Sequence, residues 1–342
     1  MGKPLLLVGP LWNGREDQIG GTTVLFQDFV EHLKNHGYKF KLIDSNHYNG
    51  VLYKIRNAFY VLIHIVFKLP KSSFVFLNLN KNGLLFVAPF ILLLTKLAGK
   101  KIAVRLFGGK GVYSNLGYFG NFIKSLVFKQ VEFLFVETKE QVQQLVGDRS
   151  NVYWFPNCRH KNLQFIERSY RKKFVFISQV RKKKGIVILL ESIKALDNSF
   201  TLDIYGPIID SELSYVKDAP NYKGIIPSKE VCDVLDKYDI LVLPTIEEGE
   251  GYPGIILEAY SMSIPVITSS LPSISEIVEN ESSGILITPG STNELVRSML
   301  GMNENFYKNL NIGAYKMATK FESEEVHHRI LQIISKDFKL RE

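Results

Sequence analysis

Two glutamates eight positions apart, Glu250 and Glu258, are the residues whose type and spacing point most directly to chemistry. They flank a loop rich in glycine and proline. This loop follows the apolar run Ile240–Leu243, which is typical of a buried strand. A helical pattern begins near Gly254. The segment therefore predicts a strand, a glycine-rich loop and a helix, which is where open α/β sheets bind their ligands.

The predicted start of this helix favours an anion, because its free N–H groups and its positive dipole end point into the loop. Two carboxylates in contact with a phosphate would repel it. Glu250 and Glu258 are therefore better suited to accept hydrogen bonds from hydroxyl groups on either side of a phosphate. A sugar nucleotide has this order of groups. The simpler alternative is an acidic loop followed by an exposed helical glutamate.

The segment resembles the E-x7-E signature of retaining GT-B glycosyltransferases of family 4. Further segments extend the resemblance over most of the chain, most strongly from about residue 150 to 290. They are FVFISQVRKKKG at Phe174–Gly185, YWFPN at Tyr153–Asn157, SIPVI at Ser263–Ile267, EIV at Glu276–Val278, GILITP at Gly284–Pro289 and GGT at Gly20–Thr22.

The resemblance implies roles for both glutamates. It implies that Glu250 hydrogen-bonds hydroxyls of the donor sugar, that Glu258 hydrogen-bonds the nucleotide ribose, and that backbone N–H groups of the loop approach the donor. The implied donor-binding loop comprises Gly251, Tyr252, Pro253 and Gly254.

The resemblance also implies a catalytic cation near the leaving group of the donor. Lys184 is the lysine of the family's K-G pair, and a lysine there would stabilise negative charge on the departing nucleoside diphosphate. The family's partner arginine lies five residues earlier, where this chain has Gln179, and Arg181 is displaced by two positions. We expect Gln179 and Arg181 to contribute to donor binding; a solvated run of charge is the alternative reading of Arg181 and the two lysines after it.

Two glycines near the N-terminus are a second candidate phosphate site. Gly20 and Gly21 precede a good helical pattern, and loop glycines in this position allow close approach to a phosphate. No Asp-x-Asp motif occurs in the chain, so we expect no metal and a leaving group stabilised by basic groups and a helix N-terminus. No cofactor is expected; the donor, a UDP- or GDP-linked sugar, is a substrate.

Substrate positioning in the first half of the chain departs from the family pattern. The family often has a histidine at the end of its fourth N-terminal strand, but the corresponding segment, 104–109, has none. Arg105, or the backbone of Gly108 and Gly109, is therefore predicted to position the substrate.

The length of 342 residues favours two domains. Eleven short β-type runs alternate with helical patterns such as Ile186–Leu196 and Ser228–Lys237, which predicts two doubly wound parallel sheets. The resemblance implies the GT-B fold, with two Rossmann-like domains facing a cleft and a C-terminal helix crossing back. The predicted divisions are 1–160 for the acceptor domain, 161–172 for the linker, 173–325 for the donor-binding domain and 326–342 for the terminal helix.

Charge is unevenly distributed along the chain. In residues 1–161, 21 Lys and Arg outnumber nine Asp and Glu, whereas in 162–342 the counts are 21 and 25. Residues 45–131 contain no acidic residue and 12 basic ones, interleaved with apolar segments too short to span a bilayer. This predicts peripheral association with an anionic membrane; the alternative is a set of buried helices with a solvated lysine face. Nucleic acid is not expected as a partner, because no binding motif accompanies the charge.

The resulting hypothesis is a retaining hexosyltransferase that uses a nucleotide sugar and a glycan or lipid-linked acceptor in bacterial surface-polysaccharide synthesis. Two cysteines without metal or disulfide spacing favour a reducing, cytoplasmic location, at the inner face of the cell membrane if the membrane prediction holds. The alternatives are a GT-B sugar-nucleotide 2-epimerase, a non-enzymatic scaffold with a degenerate transferase fold and, third, a basic nucleic-acid-binding protein.

Overall fold

The computed structural model describes residues 3–12, 21–48, 52–114, 116–147, 149–160 and 164–336. The chain divides into two compact units, Met1–Asn157 with Glu324–Glu342 and Cys158–Ser323. Each unit has a parallel sheet flanked by helices, which confirms the predicted class of two Rossmann-like domains. The predicted site residue Gly20, the start of the predicted linker (161–163) and the end of the predicted terminal helix (337–342) lie outside the described residues.

The first unit is built on a six-stranded parallel sheet in the order β2-β1-β3-β4-β5-β6. Its strands are β1 (Leu5–Gly9), β2 (Phe40–Asp44), β3 (Phe74–Leu79), β4 (Lys101–Leu106), β5 (Phe133–Val136) and β6 (Val152–Trp154). Every residue of β1, β3 and β5 is buried. Helices cover both faces of such a sheet, which is why these strands are mostly apolar; Asn78 of β3 is the polar exception.

The helices of the first unit connect consecutive strands. They are α1 (Gly21–Asn35), α2 (Tyr53–Lys68), α3 (Lys81–Phe86), α4 (Ala88–Leu97), α5 (Lys110–Ser114), α6 (Gly117–Gln130) and α7 (Lys139–Val146). The apolar segment 82–95 forms two helices rather than one, because Pro89 lies in the first turn of α4, where its missing N–H costs no helical hydrogen bond.

The last described helix belongs with the first unit. Helix α14 runs from Ser323 to Ser335, and the first unit includes the chain from Glu324 onward. His327 packs edge-on against Phe29 of α1 with ring centroids 5.3 Å apart. Glu324 lies 2.8 Å from Nε2 of His36 and 3.0 Å from Nδ1 of His32. These contacts join the two ends of the chain.

The second unit has a five-stranded parallel sheet in the order β11-β10-β9-β7-β8. Its strands are β7 (Lys173–Ile177), β8 (Thr201–Tyr205), β9 (Ile240–Leu243), β10 (Val266–Ser269) and β11 (Gly284–Ile287). Its helices are α8 (Ile186–Ile193), α9 (Val231–Leu235), α10 (Gly254–Ser261), α11 (Pro272–Ser275), α12 (Thr292–Leu300) and α13 (Glu304–Lys320).

Residues 164–172, predicted as linker, lie in the second unit and are tied to it by buried charge. Arg168 donates to Oδ1 of Asp236 at 2.7 Å, and Arg171 donates to Oδ1 of Asp239 at 2.9 Å. The Asp239 side chain is fully buried and also accepts the backbone N–H of Lys173. This segment therefore fixes the entry into β7.

Each sheet reverses its strand order at one point. In the second unit, the chain moves outward in one direction from β7 to β8 and in the other from β9 to β11, so the reversal lies between the paired strands β7 and β9. In the first unit it lies between β1 and β3. Such a reversal leaves a crevice at the carboxyl ends of the two strands, because their connections leave in opposite directions.

Among the helices that the structure describes, none is long and apolar enough to cross a membrane.

Candidate functional site

The candidate site of the second unit lies in the loops that follow β7 and β9. Lys184 ends a 3₁₀ turn, Lys182–Lys184, just after β7, and Glu250 lies in the loop after β9. These are the strands between which the sheet reverses its order. Residues 66 positions apart are thereby brought together at the position where open α/β sheets bind ligands.

Lys184 and Glu250 form an ion pair. The Lys184 Nζ donates to Oε1 of Glu250 at 2.6 Å and lies 2.8 Å from Oε2 of Glu247. The hydroxyl of Thr245 donates to the other oxygen of Glu250 at 3.0 Å. The side chains of Lys184 and Glu250 are each 13% exposed, so solvent screens this pair only weakly.

The charges of this cluster are stabilised by one another. Burial by itself lowers the pKa of Lys184, but the neighbouring Glu250 and Glu247 more than offset it, and the pKa lies above its ordinary value. Burial likewise raises the pKa of Glu247, but the hydrogen bond and charge of Lys184 bring that pKa below its ordinary value. Lys184 and Glu247 are therefore both charged at neutral pH.

The loop that carries Glu250 is held by the rest of the unit. The Ser273 hydroxyl donates to the Glu250 carbonyl at 2.8 Å, and the Tyr252 hydroxyl hydrogen-bonds Glu276. Tyr252 is buried, so its side chain belongs to the core, and the predicted approach of its backbone to a donor stays a prediction. Pro253 is buried as well, and Gly254 begins α10 without a side-chain cap. Gly251 and Gly254 are both half-buried.

Gly185 sets the direction of the chain immediately after Lys184. Its φ is +79°, a left-handed conformation that side chains disfavour, and a Cβ there would lie 1.9 Å from the backbone oxygen of Pro244. That oxygen belongs to the loop after β9, so the glycine lets the two site loops approach each other. Only a residue without a side chain fits this position.

We predict that Gly185→Ala destabilises the second unit by about 3 kcal/mol, from left-handed strain and the clash with Pro244. Thermal unfolding should show a Tm lowered by roughly 8 °C. The matched control is Gly290→Ala, because Gly290 has φ +88° but no atom within 4 Å of the added Cβ. It should cost about 1 kcal/mol. An equal decrease of Tm in the two variants would contradict a close approach of the two site loops.

Glu258 makes a contact of its own. It lies on α10 and accepts a hydrogen bond of 2.7 Å from Nε of Arg159, within the same unit. The two side chains are 23% and 14% exposed, so Glu258 remains partly accessible. Its predicted hydrogen bond to a ribose stays a prediction.

The predicted second phosphate cation has an acidic neighbour. Arg181 Nε lies 3.6 Å from Oδ1 of Asp210, whose other oxygen accepts the backbone N–H of Lys182. Gln179 is exposed. Lys184 lowers the pKa of Glu247 most, and Arg181 lowers it further. Arg181 therefore interacts electrostatically with the cluster of Lys184, Glu247 and Glu250.

The predicted residues of the first unit are placed as follows. Gly21 is exposed at the start of α1. Gly108, with φ +96°, donates its N–H to Oε2 of Glu137 at 2.8 Å, and Gly109 is buried beside it. Arg105 is 1% exposed, and its guanidinium carbon lies 3.4 Å from the ring centroid of Phe155. The Arg105 side chain is therefore packed inside its own unit, and its predicted role toward substrate stays a prediction.

Four residues of the second unit's site were not singled out from the sequence: Thr245, Glu247, Ser273 and Arg159. Thr245 and Glu247 precede Glu250 in the same loop. The adjacent acidic residues Glu247 and Glu248 could have indicated from the sequence that Glu247 belongs to the site. Ser273 and Arg159 act from 23 and 99 positions away. No local pattern connects residues at such separations.

Part of the chain is similar to known proteins. Residues 171–305 match the family model described as "Glycosyl transferases group 1". The amylovoran biosynthesis glycosyltransferase AmsK of Erwinia amylovora is 23% identical over 184 residues, 48% of this chain and 44% of that protein. The putative colanic acid biosynthesis glycosyltransferase WcaL of Escherichia coli K12 is 26% identical over 149 residues, 39% and 36% of the two chains. The chain spans about half the length of the first curated relatives it matches.

The fold is also that of a solved protein. The structure of Anabaena Alr3699/HepE in complex with UDP superimposes on this chain with a TM-score of 0.74 and 14% sequence identity. The match covers 97% of this chain and 100% of Alr3699/HepE. The candidate site residues between 179 and 258 all fall within the family match. The chain thus has the GT-B fold, and its residues 171–305 are similar to the glycosyltransferase group 1 family.

Proposed function

We propose that the protein is a retaining glycosyltransferase that moves a hexose from a nucleotide sugar to a glycan or lipid-linked acceptor. The observation that carries the proposal is the ion pair of Lys184 and Glu250 at the strand-order reversal of the second sheet. It brings a cation suited to a phosphate and a carboxylate suited to sugar hydroxyls to one position. The group 1 match over residues 171–305 and the names of the relatives support the reaction class.

The donor would bind across the loop after β9. Its diphosphate would meet Lys184 and the free N–H groups at the start of α10, where the helix dipole also favours negative charge. Glu250 would accept hydroxyls of the sugar and Glu258 those of the ribose. Alr3699/HepE was solved with UDP and with UDP-glucose, which supports a uridine nucleotide among the possible donors.

The reaction would break the bond between the sugar C1 and the diphosphate oxygen and form a bond from C1 to an acceptor oxygen on the same face of the sugar. The acceptor proton would pass to the leaving phosphate oxygen. Lys184 would stabilise the charge that develops on that phosphate. This assignment needs no metal ion, so we expect turnover to be unchanged by a chelator.

The acceptor would belong to a bacterial surface polysaccharide. This rests on the relatives, whose names refer to amylovoran and colanic acid biosynthesis. A lipid-linked acceptor would place the enzyme at the inner face of the cell membrane, in agreement with the acid-free basic stretch 45–131.

Thermal shift with UDP-, GDP- and ADP-sugars tests donor binding. One nucleotide class should raise the Tm at concentrations above its Kd, because a ligand bound only by the folded state stabilises it. Glu258→Ala should raise the Kd of that donor by roughly tenfold, because the variant loses a hydrogen bond to a charged group. The control is Glu281→Ala, an exposed glutamate of the same unit.

Three outcomes would argue against the proposal. If no nucleotide sugar shifts the Tm, a scaffold without donor binding is the better explanation. An epimerised donor formed without acceptor would indicate a 2-epimerase. An unchanged donor Kd in Glu258→Ala would remove its ribose assignment alone.

A further inference from the structure

Helix α2 has an apolar surface on its outward side. Ile55, Phe59, Ile63 and Phe67 recur every four residues along the helix, and each is more than half exposed. The opposite side already supplies the core, through the buried residues Val61 and Ile65 among others. A surface helix normally presents polar residues outward, so this second apolar stripe needs a separate explanation.

The neighbouring helices continue this surface. Helix α4 packs beside both α2 and α6. On α4, Phe90, Leu93 and Leu97 are 57%, 58% and 76% exposed, and on α6 Phe119 and Phe122 are 71% and 59% exposed. We call the outward sides of α2, α4 and α6 the apolar face. Exposed aromatic and aliphatic side chains on three adjacent helices of a folded unit mark an interaction site.

The three helices of the apolar face carry charge of one sign. Residues 45–131, which include all three helices, contain no acidic residue. Lys54 in the first turn of α2, Lys71 just after its end and Lys129 in the last turn of α6 are all exposed. An apolar surface with lysines at its ends matches a bilayer surface, where acyl chains lie below anionic headgroups.

We propose that the apolar face inserts into the interface of an anionic phospholipid bilayer, with α2, α4 and α6 lying along the membrane surface. The inference deepens the membrane part of the proposed function and names the helices that carry it. A second copy of the chain is a poorer occupant of the same face. A symmetric dimer would place this acid-free, lysine-rich surface against itself, and like charges would oppose each other.

Co-flotation with vesicles tests this inference. The full chain should float with phosphatidylcholine–phosphatidylglycerol vesicles. The partition coefficient of the triple variant Phe59→Ser/Phe90→Ser/Phe122→Ser should be at least about tenfold lower, because the variant lacks three aromatic side chains that would insert into the bilayer. All three residues are exposed, so folding should be retained. The matched control is Tyr215→Ser/Ile225→Ser/Ile312→Ser, which removes three exposed apolar residues of the second unit.

The remaining outcomes separate the possibilities. The proposal would be overturned if both triple variants lost vesicle binding equally. It would also be overturned if the wild type bound pure phosphatidylcholine vesicles as well as it binds the anionic ones. A concentration-dependent dimer in light scattering that only the first variant breaks would overturn it too, and would assign the apolar face to a second copy. Donor-induced thermal shift of the wild-type chain keeps the tests apart. If the wild type binds nucleotide without floating, the membrane inference alone is refuted; if it floats without binding nucleotide, the transferase alone is refuted.

Discussion

Replacing Glu250 by alanine is expected to lower the transfer rate by about a thousandfold or more while leaving the protein folded. The variant loses the carboxylate that would hold the donor sugar against the leaving group, and misplacement of a reacting group costs rates of this order. Folding should survive because Lys184 keeps its contact with Glu247, 2.8 Å away. The measurement is kcat with the donor found by thermal shift, alongside the Tm without ligand.

The control for this variant is Glu248→Ala, which removes an exposed carboxylate two positions earlier in the same loop. It should turn over like the wild type. Turnover of Glu250→Ala within a few fold of wild type would exclude Glu250 from the site. A Tm lowered by as much as in Gly185→Ala would mean that Glu250 is chiefly structural.

Replacing Lys184 by alanine is the second large effect that we expect. It should reduce kcat by two to three orders of magnitude, since loss of one electrostatic contact to a developing charge typically costs about 3–4 kcal/mol. It also leaves Glu247 and Glu250 as neighbouring carboxylates in a partly buried place. The pKa of Glu247, which Lys184 now lowers, should therefore rise, and binding of the nucleoside diphosphate should weaken further as both acids repel it.

Lys183→Ala is the matched control, because Lys183 is exposed and directly precedes Lys184. The two variants should be compared for kcat and for the Kd of the nucleoside diphosphate product. If both lose activity equally, the charge of the whole run matters rather than Lys184. If Lys184→Ala binds and turns over like the wild type, the leaving-group assignment is wrong.

The strands of this protein were predictable because burial on both faces leaves a plain signature. The predicted strand Ile240–Leu243 matches β9 to the residue. The predicted helix Ser228–Lys237 was wrong in extent: a 3₁₀ turn, Ser228–Glu230, precedes α9, and α9 ends at Leu235. After Leu235 the chain forms a tight turn, in which the Tyr238 N–H donates to the Leu235 carbonyl. This turn places the Tyr238 side chain in the core. Tertiary packing set that boundary.

The candidate site was predictable where its chemistry lies in a continuous segment. Glu250 stood out from its loop, and Lys184 was found through the family resemblance. Their pairing was not visible, because it depends on which strands are neighbours in the sheet. The bond from Arg159 to Glu258 joins residues 99 positions apart and leaves no trace in local sequence.

The contacts of Lys184 also bear on which anions could bind at this site. Glu250 and Glu247 are tethered competitors for its charge, present at the high effective concentration that a short connection provides. A free phosphate ion would have to displace them and would leave two carboxylates without their cation. A sugar nucleotide would offer more, since its phosphate would pair with Lys184 while its hydroxyls would hydrogen-bond Glu250. The ion pair would in this way act as a filter that rejects ligands with only half of the required groups.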